Sequence, residues 1–102
     1  MIEIRCRATL LDKKVKIDGE MRDVYGLSRL DIRPRRIGMG MGLIRWMTML
    51  AGRDGKWGIV AFTGGRTWDF YRKCGWHKHG TYEDQIIITS VPCSSIEVTE
   101  RW

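Results

Sequence analysis

The sequence predicts a mostly β fold: a small antiparallel barrel or sandwich of about six to eight short strands with at most one short helix. Two observations carry this expectation. Apolar residues fall at every second position in several separate stretches, as they do when a strand sends alternate side chains to opposite faces. Turn chemistry recurs roughly every 8–12 residues, the spacing of short strands joined by hairpins.

In chain order, Ile2, Ile4, Cys6, Ala8 and Leu10 alternate with Glu3, Arg5, Arg7 and Thr9, which predicts a strand with one charged face. Asp12-Lys13-Lys14 reads as a turn, Val15 and Ile17 as a short second strand, and Asp18-Gly19 as another turn. Met21, Val24 and Tyr25 have helical spacing, but Gly26 interrupts them, so residues 20–31 are assigned one helical turn at most. Pro34 restricts the residues before it to extended geometry, which makes 31–36 a loop or edge strand. Residues 37–65 read as a long central hairpin. Ile37, Met39, Met41, Leu43, Met47, Met49 and Ala51 share one face, Gly52 to Lys56 turn the chain, and Trp57 to Phe62 return. Trp68, Phe70, Cys74 and Trp76 suggest a further strand, His77 to Thr81 a turn, Ile86 to Val91 a strand, and Ile96 with Val98 a last one.

The chain's 102 residues suit a single domain over residues 1–102. No run approaches the ~18 consecutive apolar residues of a membrane span, and the opening residues lack the block layout of a secretory signal. Three cysteines at unrelated spacings argue against a disulfide framework, so a reducing cytoplasm is the expected compartment. Net charge is +6 and sits entirely in the first part: residues 1–56 hold 13 Lys/Arg against 7 Asp/Glu, and the remainder holds 5 against 5. A one-sided basic surface attracts nucleic acid, nucleotides, nucleoprotein complexes or an acidic protein face.

The candidate binding residues are Arg29, Arg33, Arg35, Arg36, Arg45, Trp46, Trp57 and Arg66. Arginine's planar fork pairs with phosphate, and tryptophan stacks under a base, which together suit single-stranded nucleic acid or a nucleotide. Most of the five tryptophans alternate with small or apolar residues, so the expectation is a tryptophan-rich core with one or two left for a surface. Thr63-Gly64-Gly65-Arg66-Thr67 has the composition of an anion nest but matches no nucleotide fingerprint, and no helix is expected after it. Gly38, Gly40 and Gly42 allow another backbone or a ligand to approach closely. Cys74, His77, His79 and Cys93 are weak candidates for zinc, being the right ligand types without the usual paired spacing. The same histidines with Cys93 and a carboxylate make a generic catalytic set that no spacing ties together.

The stretches MIEIRCRA and DGKWGIVAF resemble the ends of YopX-type phage proteins. The resemblance implies a small phage-type accessory protein, a class that includes proteins acting against host defence.

The expected function is therefore a basic, non-enzymatic binding protein for an anionic partner, with no cofactor. One alternative is a protein–protein inhibitor or self-associating assembly subunit that uses the Met/Trp surface around residues 39–50. A small metal-dependent enzyme at the Cys/His residues is the other.

Overall fold

The computed structural model describes the backbone of residues 5–33 and 37–102. Its strands are β1 (Arg5–Ile17), β2 (Glu20–Arg33), β3 (Ile59–Thr63), β4 (His77–Tyr82), β5 (Gln85–Thr89) and β6 (Ile96–Glu97), and its helices are α1 (Ile37–Arg53) and α2 (Gly65–Lys73). The strands form a nearly closed, barrel-like sheet in the order β4-β5-β3-β2-β1-β6, so the mostly β class holds. The expectation of at most one helix does not, because two are present.

β1 and β2 form one long antiparallel hairpin about the Asp18-Gly19 turn, where both residues take positive φ (50° and 85°). Residues 12–14, expected to turn, lie inside β1, and residues 20–31 are strand throughout. The ladder steps from Leu10↔Leu27 to Thr9↔Arg29, which leaves Ser28 as an extra residue in β2. Such a bulge bends the strand. It also explains why Leu27 and Leu30, three apart, both pack toward the same core cluster.

The predicted central hairpin is instead a helix and a strand. Gly40, Ile44, Met47 and Ala51 are buried at spacings of four, three and four, a helical stripe within the same residues that alternate. Topology decides between the two patterns. β2 and β3 pair in parallel, and a parallel pair needs a crossover of a dozen or more residues, which α1 supplies. Gly40 lets α1 sit close, since a Cβ there would come within 3.0 Å of Phe70 and 3.1 Å of Ile32. Residues 68–73, expected to be strand, belong to α2, which buries Tyr71. His77 to Thr81, expected to turn, lie in edge strand β4.

The sheet has a core on each face. On the helix side, Leu27, Ile44, Met47, Ala51, Ile59 and Ile88 pack with Tyr71 and Trp76. On the other, Val15, Ile17, Val24, Val60 and Ile87 are covered by Trp57, Cys93, Ile96, Val98 and Trp102. No helix among the described residues is long and apolar enough to cross a membrane.

Candidate anion-binding site

The parallel ladder of β2 and β3 covers only Tyr25↔Ile59, Gly26↔Val60 and Leu27↔Ala61. Both strands then continue with other partners, β2 with β1 as far as Arg33 and β3 with β5 as far as Thr63. Their facing edges part beyond Leu27 and Ala61, just where Ser28 bulges. The carboxyl ends of the two parallel strands are therefore not joined by a ladder to each other, and in open α/β sheets that end of the strands is where ligands sit.

Each strand leads into a helix, so both helix N-termini gather at this end. α1 begins four residues after Arg33 and α2 two residues after Thr63. The Phe70 ring of α2 lies against Gly40 of α1. The expectation that no helix follows Thr63-Gly64-Gly65 is thus overturned, and the discounted nest is the start of α2. Gly64 at its N-cap provides no side-chain cap, and neither helix has an acidic residue in its first turn. The first α2 amide to find its own helix's carbonyl is Trp68 N–H, donating to Gly64 O at 3.0 Å. The exposed amides of Gly65, Arg66 and Thr67 precede it and have no carbonyl within the helix to reach. Free N–H groups and a positive helix end favour an anion, and the start of α2 offers both.

The glycines sharpen this reading. Gly40 is explained by packing, whereas a Cβ at Gly38, Gly42, Gly64 or Gly65 would meet nothing within 4 Å. Glycine inside a helix costs about 1 kcal/mol relative to alanine. Gly42, inside α1, therefore weakens the helix without any packing return among the described residues.

The predicted binding residues are dispersed. Arg66 lies exposed in the first turn of α2. Arg45 and Trp46 are exposed on α1, with Trp46 58% accessible. Arg29 is exposed on β2, one residue past the bulge. Trp57 is partly buried and packs against the core on the face away from the helices. Arg33 ends β2, paired by backbone with Arg5, while its side chain and all of Arg35 and Arg36 lie outside the described residues. Trp76 is buried and Trp57, Trp68 and Trp102 are partly covered, so Trp46 alone of the five is strongly exposed.

The Cys/His residues do not assemble into one centre. Cys74 caps α2 and packs on the helix side, while Cys93 packs on the opposite face. No group of three or more His, Cys, Asp or Glu among the described residues is placed to hold a metal. All three cysteines are free. His79 and Cys93 do meet, in a groove of about 810 Å³ lined also by Trp68, Trp76, Lys78 and Ser94. Thr89 Oγ1 donates to Val91 O at 2.6 Å and lies 2.8 Å from His79 Nε2. Having committed its only proton, Thr89 accepts from Nε2–H, which leaves Nδ1 as the basic nitrogen, 3.9 Å from Cys93 Sγ. Burial lowers the His79 pKa, helped by His77, and burial with Asp18 raises that of Cys93. Both shifts favour a neutral thiol beside a neutral imidazole rather than an activated thiolate.

Compared with family models, curated proteins and solved structures, the chain matches none.

Proposed function

We propose that this chain is a binding protein for a phosphate-bearing small ligand. Its phosphates would sit on the N-termini of α1 and α2, and an extended amide-bearing arm would lie between the parted strands, the chemistry of coenzyme A. The observation that carries the reading is a pair of acid-free, glycine-rich helix starts, each following the carboxyl end of one of the parallel strands β2 and β3. The parted strands favour an arm with peptide-like groups, because backbone donors and acceptors facing the gap can pair with amides as an added strand would. Arg66 supplies a cation at the phosphate end, and the first part's +6 charge steers anions toward the chain. The gap would deliver the far end of the arm to the opposite face of the sheet, beside Gly26 and Phe62.

Gly65→Asp tests this with two readouts of opposite sign. A carboxylate in the first turn of a helix stabilises it by about 0.3–1 kcal/mol, so the variant should melt slightly higher than the parent. The same carboxylate repels phosphate, so coenzyme A should bind at least about tenfold more weakly, which is about 1.4 kcal/mol. Unchanged coenzyme A affinity in the variant, or no binding by the parent at millimolar ligand, would refute the proposal.

A second reading follows from the outer face of α1, where Trp46 (58% accessible) and Met49 (74%) stand exposed beside Arg45. A protein partner seated there would resist salt and be lost on Trp46→Ala, whereas phosphate binding would weaken with salt and tolerate that change.

A further inference from the structure

Residues 98–102 cross the face of the sheet opposite the helices as a strap without a strand ladder of its own. Side chains hold it: Tyr82 Oη donates to Thr99 O at 3.0 Å, Lys13 Nζ pairs with Glu100 at 3.2 Å, and Arg101 with Glu83 at 3.5 Å. The strap ends in Trp102, whose indole lies over Gly26 so closely that any Cβ at position 26 would overlap it. Phe62 meets the indole edge-on at 5.0 Å, and Lys13 Nζ stands 5.6 Å from the ring. The slot therefore accepts a flat ring, with Gly26 as its floor, Phe62 as its wall and Lys13 as a cation at its rim. Trp102 is an imperfect tenant, because its Nε1–H is buried with no acceptor among the described residues. An unmet buried donor carries a desolvation cost that a better-matched ring avoids.

We infer that this slot is a binding site for a planar aromatic carboxylate, which the chain's own Trp102 and Glu100 imitate. The ring of Trp102 fills the aromatic slot while the carboxylate of Glu100 occupies Lys13, the two halves of such a ligand supplied by one strap. The slot lies at Gly26 and Phe62, flanking the point where the β2–β3 ladder ends, so a ligand there would face the far end of an arm laid between the parted strands. Its contacts stand apart from the phosphate reading, and the probe below carries no phosphate, so either can fail alone.

The test is a calorimetric titration of the Glu100→Ala/Trp102→Ala chain with indole-3-acetate, beside the parent. The vacated variant should bind at least tenfold more tightly than the parent. Adding Lys13→Ala should lose most of that gain, and adding Gly26→Ala should abolish binding by filling the floor. Equal affinity in variant and parent, or binding indifferent to Lys13 and Gly26, overturns the inference. If the double variant fails to fold, hydrogen exchange on the parent decides. Saturating indole-3-acetate should speed exchange in residues 98–102 as the strap is displaced, and unchanged exchange there overturns the proposal.

Discussion

Replacing Gly42 by alanine should make this protein more stable. Gly42 lies well inside α1 and is exposed, and a Cβ there meets nothing within 4 Å. The change removes a helix penalty of about 1 kcal/mol and adds no clash. For a domain of this size that corresponds to a rise in Tm of roughly 4–8 °C. Gly40→Ala, two residues away, gains the same propensity but drives its Cβ to 3.0 Å from Phe70 and 3.1 Å from Ile32. Overpacking of that kind costs about 1–3 kcal/mol, which cancels or exceeds the gain. Gly40→Ala should therefore melt no higher than the parent. Thermal melts followed by far-UV circular dichroism separate the two. Equal rises would refute the contact of α1 with α2 and β2, and no rise at Gly42 would refute the helix itself.

The remaining expectations use other parts of the molecule. Trp46→Ala should change stability by no more than about 0.5 kcal/mol, as an exposed site does, while Trp76→Ala should cost about 3–5 kcal/mol. Denaturant titrations check both. Burial lowers the His79 pKa below its usual 6.5, so the unfolded chain takes up this proton first as the pH falls. Stability should hold above about pH 6.5 and decline as the pH falls from there through the folded pKa, and His79→Gln should flatten that decline. Melts across pH measure it.

The sheet was readable where strands alternate against a single core. Val15 and Ile17 alternate with Lys14 and Lys16, and the structure buries the first pair and exposes the second. Reading failed where two periods coexist. In residues 37–51 almost every position that is not glycine is apolar, so the alternating row hides the stripe of Gly40, Ile44, Met47 and Ala51. Four glycines also argue locally against a helix, and only the parallel pairing of β2 with β3 overrides them. Residues 20–31 were obscured by the Ser28 bulge, which breaks strict alternation. The candidate site was half legible. Both glycine clusters stand out in the sequence, but an anion nest has force only when a helix stands behind it, and α2 was hidden by alternating Trp68 and Phe70.

Amide chemical-shift mapping of the labelled chain with coenzyme A shows whether the helix starts hold the phosphates. Saturable shifts should concentrate at Gly38 to Gly40 and Gly64 to Thr67 and weaken as salt rises. No saturable shift at millimolar ligand, or shifts confined to the groove around His79 and Cys93, would contradict it.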